Sequence, residues 1–500
     1  NPADCTLWSA RLFPVAETVD AAWAWTAGLL DADGRGGRER RAWTEKWLSA
    51  ERHSLQSSYE CADLIQVAQA RQDLFAELVW CKVHECFQQE KPVRKWFEKI
   101  PTQRDFARLF EGVDGRSEGF DDPLERIRFD FSLGTLLRNA PASCRLATPR
   151  PEPFEERAFK RLSKTMLAAE AEFAPRPCVR RWHRDSCDVS LASRIDFAGG
   201  WSDTPPYTLE RGGTVLNAAV AIDGILPIRV FIERLEEPRL VVESRDLGVE
   251  ATIGSAAELL DYRNPLDPLA IHKASLVYAV GGAAETWQDL GARLVALGGG
   301  IRLSSEVLLP KGTGLGTSSI LAAALAKAVL KMGDAGGEDD DYALLFDAAA
   351  SIEQMLTTGG GWQDQVGGLV PGIKIATSAP GLYQAITVEE LAIDSRTRAE
   401  LDERLVIIDT GQRRLAKNLL REIMGSWLAR EAHTVRILDE IQRIARDMRR
   451  ALKSGDLDEV GDLLWRHWET NKRLDRKTSN AFIDQLMAAL RPHLAGAKLA

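Results

Sequence analysis

The sequence predicts an α+β protein built from two blocks, and three observations lead there. Short alternating segments of the kind that form strands crowd the stretch from Val189 to Leu309, and long helical periodicities follow from Ser318 onward. All seven cysteines lie at or before Cys187, so the chain changes character near residues 174–187. Glycine pairs and Gly-rich loops cluster after residue 198, where the strands begin. At about 100–200 residues per domain, 500 residues predict two to four domains with real cores.

The first block is helical in pattern. Leu64, Val67, Ala68, Leu74, Phe75, Leu78 and Val79 recur at three- and four-residue spacing, Phe106, Leu109 and Phe110 suggest a second segment, and Phe154 to Phe173 a third. Seven of the fourteen tryptophans fall in the first hundred residues, which helix packing explains. Pro149–Pro153 and Ala174–Pro177 read as a linker, because proline fixes φ and removes a donor. In the second block, strands are predicted at Val189–Ala198, Thr214–Ile222, Leu226–Ile232, Leu240–Ser244, Ile301–Leu309 and Leu405–Asp409. Helices are predicted at Ser318–Lys331, which is apolar nearly all round and therefore buried, and at Tyr342–Leu356, Arg413–Lys453 and Asn480–Leu490.

Composition narrows the function. A net charge of −9 argues against broad nucleic-acid binding and against adhesion to anionic membranes. No apolar stretch approaches the ~20 residues a bilayer span needs. Seven cysteines without a CxxC pair predict reduced thiols and a cytoplasmic protein. The seven histidines show neither HxxxH nor HExxH, so a zinc hydrolase is unsupported. The oligomeric state is not set by the sequence.

Three segments carry chemistry. In Pro310-Lys-Gly-Thr-Gly-Leu-Gly-Thr-Ser-Ser319, Gly312, Gly314 and Gly316 alternate and run straight into a helix. Free N–H groups of a first helical turn, backed by the helix dipole, bind anions. The Thr317, Ser318 and Ser319 hydroxyls stand where a phosphate or its metal would lie. A plain helix cap is the competing reading of this segment alone. Next come Glu353, on the polar side of its predicted helix, and Asp364, in a loop flanked by five glycines. Phosphoryl transfer needs Mg²⁺, which prefers hard oxygen ligands, and a group to take the acceptor's proton. Ser318 with Glu353 suits the metal and Asp364 suits the base, although glutamates on helices are usually just solvated. Last, Arg194 sits inside an apolar strand in Ala192-Ser-Arg-Ile-Asp-Phe-Ala-Gly-Gly-Trp-Ser-Asp-Thr-Pro-Pro206, where a charge must be paired or poised at a site. Asp203, on the stiff turn that follows, is suited to gripping hydroxyls, with an Asx-turn as the alternative.

Together these segments resemble the three-part signature of the GHMP kinases, over roughly residues 186–500. The resemblance implies a two-domain fold: a ribosomal-protein-S5-like part at 186–380 and a ferredoxin-like part at 381–500, preceded by a helical linker block at 1–178. It implies ATP and Mg²⁺ as cofactors. Lys311, Gly312, Gly314, Leu315, Gly316, Thr317, Ser318 and Ser319 would bind the phosphates, and Ser318 and Glu353 the metal. Asp364 and Arg194 would be the catalytic pair. Gly200, Trp201, Asp203, Thr204, Gly361, Thr410, Gly411 and Arg414 would bind the sugar.

The wording Ala-Gly-Gly-Trp-Ser-Asp-Thr-Pro-Pro is similar to L-fucokinases, and especially to the kinase half of bifunctional fucokinase/fucose-1-phosphate guanylyltransferases. That implies phosphorylation of the anomeric hydroxyl of L-fucose, with an upstream nucleotidyltransferase as fusion partner. The chain opens at Asn1 without Met and stops at Gly496-Ala-Lys-Leu-Ala500, about where the family's third Gly-rich motif should begin, so truncation is expected. Two alternatives stay open. A D-glycero-D-manno-heptose-phosphate kinase would need an extra cationic site, for which Arg413, Arg414 and Lys417 are available. A catalytically inactive GHMP-fold sugar sensor would keep the fold without turnover.

Overall fold

The computed structural model describes residues 6–30, 37–63, 114–138, 150–173, 177–264, 266–281, 289–310, 312–333, 341–356, 359–412 and 416–499, with scattered positions between 65 and 85. The chain divides into two compact units, Asn1–Glu152 and Pro153–Ala500.

In the first unit, β1 (Phe13–Pro14) pairs with β2 (Arg52–His53). The tryptophans do pack helices: Trp25 of α1 (Val19–Leu30) meets Trp43 of α2 (Gly37–Ser49) edge-on, and Trp43 stacks on Trp47. α3 (Leu55–Cys61) follows, capped by Ser54. α4 (Pro123–Arg138) buries Ile127, Phe129, Leu133 and Leu137. Val67 and Leu74 of the predicted stripe are helical but exposed. Leu64, Phe75, Leu78, Val79, Phe106, Leu109 and Phe110 lie outside the described residues.

The division at Glu152/Pro153 falls within the first of the two proline-rich stretches. Pro151 and Pro153 do not begin a linker. They open α5 (Glu152–Phe173), as proline tolerates the first helical turn. α5 belongs to the second unit, where its Ser163 Oγ donates to Gln354 Oε1 at 2.9 Å and its Glu170 accepts a hydrogen bond from Ser351.

The second unit holds two sheets. The five-stranded sheet runs β3 (Ser186–Leu191), β6 (Ile228–Leu235), β9 (Gly300–Val307), β7 (Leu240–Ser244), β8 (Val249–Ile253), with β7 and β9 parallel and the other pairs antiparallel. The four-stranded antiparallel sheet runs β11 (Ile386–Glu390), β10 (Ile373–Ser378), β5 (Gly213–Val220), β4 (Ser193–Ala198). The single strand predicted at Val189–Ala198 is thus two strands in different sheets. Val189 and Leu191 join the core of the first, while Phe197 and Ala198 join the core of the second. Between β4 and β5 lies the short helix α6 (Tyr207–Arg211).

The larger core forms around α8 (Thr317–Met332), which packs on β3, β6, α7 (Ala270–Val280) and α9 (Tyr342–Met355). Being surrounded explains why its sequence is apolar on every side. The short α10 (Gln363–Leu369) packs between α8 and the β4–β5 face. The opposite face of β4–β5 is covered by α13 (Ala432–Ser454), so β5 is buried on both sides. The helix predicted across Arg413–Lys453 is broken into α12 (Ala416–Leu428) and α13, with α11 (Ser395–Arg404) before them. The break is at Arg430, whose φ of +52° reverses the chain, and whose guanidinium bonds to Glu210. Leu405–Asp409 is not a strand. Val406, Ile407 and Ile408 are exposed, and β-branched residues form a strand only with a partner edge, which none of the described residues supplies. α14 (Leu457–Leu474) and α15 (Ala481–Leu490) complete the unit. Among the described residues, no helix is long and apolar enough to cross a membrane.

Candidate active site

The site forms where β4, the loop before α8, α9 and α10 meet. Arg194 projects from β4, and its backbone N–H donates to Leu315 O at 3.3 Å, tying the glycine loop to the strand. The side chain of Arg194 grips Asp364 in the first turn of α10: Nε and Nη2 lie 2.6 and 2.5 Å from the same oxygen, Oδ1. Burial works against the arginine's charge, but Asp364 and Asp196 outweigh it and hold its pKa above the usual value.

Gly316 closes this arrangement from the loop side. It has φ +75°, and a Cβ there would stand 3.1 Å from Asp364 Cγ and 3.2 Å from Arg194 Cγ. It is also the N-cap of α8, without a side-chain cap, so no hydroxyl occupies the first-turn N–H groups. That disfavours the plain-cap reading. Gly312 and Gly314 share the positive φ. Lys311 and Arg414 lie outside the described residues.

Glu353 does not face solvent. It is 8% exposed, and Ser319 Oγ hydrogen-bonds to its Oε1. Ser319 Oγ also lies 3.4 Å from Asp364 Oδ2, so this hydroxyl sits between the two carboxylates. Ser318, the expected partner of Glu353, stands exposed on the first turn of α8. Burial pushes the Glu353 pKa up to about 8, opposed by the Ser319 hydrogen bond and reinforced by Asp364 and Asp203.

Asp203 is fully buried, and its Oδ2 accepts from the Gln363 N–H at 2.9 Å, which holds the start of α10. Gly361 lets that carboxylate in, because a Cβ there would collide with Asp203 Oδ2. Asp203 Oδ1 is buried with no hydrogen-bond partner among the described residues, an acceptor left unsatisfied. Burial, with Asp364 and Asp196 nearby, drives the Asp203 pKa up to about 7 against the Gln363 hydrogen bond. The turn bearing it is rigid: Ser202 Oγ donates to Gly199 O at 2.7 Å and accepts from Thr214 N at 3.1 Å. Gly200 and Thr204 are buried here, and Trp201 takes φ +86°, uncommon for a bulky side chain. Thr410 and Gly411 lie in an exposed turn closed by Asp409 Oδ1, and among the described residues no hydrogen bond or ion pair joins them to the others.

Sequence reasoning missed the supports of α10. Asn217 Nδ2 donates to Gln363 O at 3.0 Å, at one end of the helix. At the other end Lys374 Nζ, fully buried, donates to the carbonyls of Gly367, Val370 and Gly372 at 2.7, 2.5 and 3.3 Å. A lysine inside the apolar strand Ile373–Ser378 is the same signal that singled out Arg194. Gly367 permits the close approach, since a Cβ there would stand 2.5 Å from Arg194 Cβ.

The donor set fits Mg²⁺. Glu353, Asp364 and the Ser318 and Ser319 hydroxyls are hard oxygen ligands, and a cation beside Glu353 would offset the burial that disfavours its charged form. Among the described residues no three acidic, histidine or cysteine side chains form a metal-binding group of their own.

Residues 275–372 match the domain family described as GHMP kinases N terminal domain, so this part of the chain belongs to the GHMP kinase superfamily, with its mixed α+β architecture. More particularly, the chain is 36% identical over 311 residues to the Arabidopsis thaliana bifunctional fucokinase/GDP-fucose pyrophosphorylase, covering 62% of this chain and 28% of that protein. It is 30% identical over 456 residues to the Bacteroides fragilis L-fucokinase/L-fucose-1-P guanylyltransferase, covering 91% of this chain and 47% of that one. The chain therefore spans less than half the length of either relative. Among solved structures, it is similar to a D-glycero-D-manno-heptose 1-phosphate kinase from Bacteroides thetaiotaomicron, with TM-score 0.42, 19% identity, and 57% and 79% of the two chains covered.

Proposed function

We propose that this chain is an ATP-dependent kinase that phosphorylates the anomeric hydroxyl of L-fucose to give fucose 1-phosphate. The observation that carries the reading is the seating of Gly316 against the Arg194–Asp364 pair, which brings an uncapped helix N-terminus next to a carboxylate suited to take a proton. The glycine loop from Lys311 to Ser319 cradles the triphosphate with its N–H groups. Asp364 accepts the proton as the sugar O1 attacks the γ-phosphorus and ADP departs. Arg194 orients Asp364 and offsets the charge gathering on the transferred group. Asp203 holds a sugar hydroxyl through its free oxygen, within the turn of Gly200, Trp201 and Thr204. Mg²⁺, held by Glu353 and Ser318 when bound, supplies neutralisation of the phosphates. Most of the rate comes from positioning and electrostatics.

The sugar assignment draws on the two relatives, whose names are those of fucokinases, and on the Trp201 wording of the turn. By the same likeness we propose residues 186–380 and 381–500 as the two kinase domains and 1–178 as a linking block whose last helix, α5, packs within the second unit. A nucleotidyltransferase is proposed as the fusion partner, in a cytoplasmic enzyme.

The test is ADP release by the purified chain with ATP and Mg²⁺ against L-fucose, other free sugars and heptose phosphates, with the product read by ³¹P NMR. Fucose 1-phosphate is the expected product. Turnover of a heptose phosphate but not of fucose would move the acceptor. ATP binding without turnover of any sugar would leave a sensor.

A further inference from the structure

Beyond the last helix the chain turns back toward the site. Ala495 and Gly496 lie directly on Gly461 of α14: a Cβ on Gly461 would stand 2.7 Å from the Ala495 carbonyl, and one on Gly496 would strike Gly461 O. This glycine-on-glycine contact delivers Lys498 to β4, where its Nζ lies 2.5 Å from Asp196 Oδ2, both side chains being 7% exposed. Asp196 follows Arg194 by two residues on the strand, so both project from the same face. Arg194 therefore feels the carboxylates of Asp364 and Asp196, with Asp203 a weaker third. Asp196 Oδ1 has no hydrogen-bond partner among the described residues, so its charge is balanced chiefly through Oδ2. The other groups facing this pair add no cation. His467 of α14 accepts from Gly199 N at 3.3 Å, and burial, reinforced by Lys498, pushes its pKa down to about 3, leaving it neutral. Asp203 and Asp364 are acids.

We propose that Lys498 is a positioning residue: by neutralising Asp196 it leaves Arg194 committed to Asp364, so the tail that crosses α14 sets the orientation of the base. This rests on the kinase reading above. Without Lys498, a buried and unbalanced carboxylate would lie two residues from Arg194. The guanidinium would then be shared between Asp196 and Asp364.

The experiment compares wild type, Lys498→Met, Lys498→Arg and the double variant Asp196→Asn/Lys498→Met in steady-state turnover with ATP and L-fucose. Met keeps the stem of lysine and removes its charge, so packing is nearly preserved. The expected result for Lys498→Met is a fall in kcat of about 10²-fold, the cost of a misaligned reacting group, with little change in KM for ATP. Lys498→Arg keeps most activity. The double variant, in which neither charge remains, recovers most of the loss. Wild-type kcat in Lys498→Met overturns the proposal, and so does a loss that Asp196→Asn does not relieve. If Lys498→Met alone fails to fold, the double variant must be soluble and active, and an inactive one overturns the proposal. Wild-type turnover is the separate control: an inert wild type removes the kinase reading itself, whereas an active wild type with unaffected variants removes only the role of Lys498.

Discussion

Arg194 holds Asp364 by one oxygen only. Both Nε and Nη2 converge on Oδ1, at 2.6 and 2.5 Å, whereas among the described residues Oδ2 has the Ser319 hydroxyl as its hydrogen-bond partner, at 3.4 Å. A carboxylate anchored through one oxygen is oriented, and its second oxygen is left to meet a proton donor. Asp364→Asn should keep the shape and lose the proton acceptor, lowering kcat by about 10²–10⁴-fold. Arg194→Lys should also fail, because a single ammonium cannot reproduce a two-pronged grip. Steady-state kinetics with ATP binding measured in parallel checks both. Normal turnover in Asp364→Asn would remove Asp364 from the chemistry.

Two adjacent hydroxyls divide one task. Ser318 is exposed on the first turn of α8, whereas Ser319 is buried and bonded to Glu353. Ser319 therefore orients the carboxylate that we assign to the metal. Ser319→Ala should raise the half-saturating Mg²⁺ concentration by about 10–100-fold, the usual effect of losing a group that orients a ligand. Mg²⁺ titration of the rate, and Mn²⁺ binding without sugar, would check this. An unchanged metal requirement would reassign Ser319 to packing.

The difference between these serines shows where reading the sequence stops. The Gly312–Gly316 loop, Arg194, Glu353 and Asp364 were legible because phosphate, metal and base chemistry each restrict the residue type. Which of two neighbouring serines turns inward was not, since successive helical positions differ by about 100° and either rotation fits the same string. Likewise, one alternating run at Val189–Ala198 hid a change of sheet at Ala192, because alternation marks a strand but not its partner. The type of Glu353 was legible but its burial was not, since the sequence places it on the polar side of its helix and only the tertiary contact with Ser319 shows it turned inward. Thr410 and Gly411 followed from family wording, and among the described residues no hydrogen bond or ion pair links them to the site.

The buried acids make stability depend on pH. Burial holds Glu353 at about 8 and Asp203 at about 7, above their ordinary values of 4.5 and 3.8. Between these limits the folded chain binds more protons than the unfolded one, so its stability falls as pH rises. The contribution is fully present below about pH 4 and is lost as pH passes through 7 and 8. Thermal melts of the ligand-free chain should show Tm falling from pH 5.5 to 8.5 on account of these groups, a ~3-unit window set by their raised pKa values. Glu353→Gln should flatten the slope. An identical slope in that variant would show that Glu353 ionises as an ordinary carboxyl.

Lys374 supports the helix that bears Asp364 from the far end of α10. Its ammonium satisfies three carbonyls, two of them belonging to the last turn of that helix or its cap, and it is fully buried. Replacing it with methionine fills the volume but strips the donors, and each buried carbonyl left unsatisfied costs about 1–3 kcal/mol. Lys374→Met should therefore destabilise the protein by at least ~2 kcal/mol, even if water rescues some of the acceptors. Because α10 carries Asp364 at its opposite end and rests on Arg194 through Gly367, slackening its C-terminus should also lower kcat. Burial pushes the Lys374 pKa down to about 7, so stability from this residue rises with pH between about 7 and 10.5, opposite in sign to the acids. Lys374→Met should accordingly make the alkaline fall in Tm steeper, as well as lowering Tm at every pH. Denaturant unfolding together with melts from pH 7 to 10, roughly the lysine's window, would separate the two effects. A variant as stable as wild type would mean that α10 holds its position without the lysine.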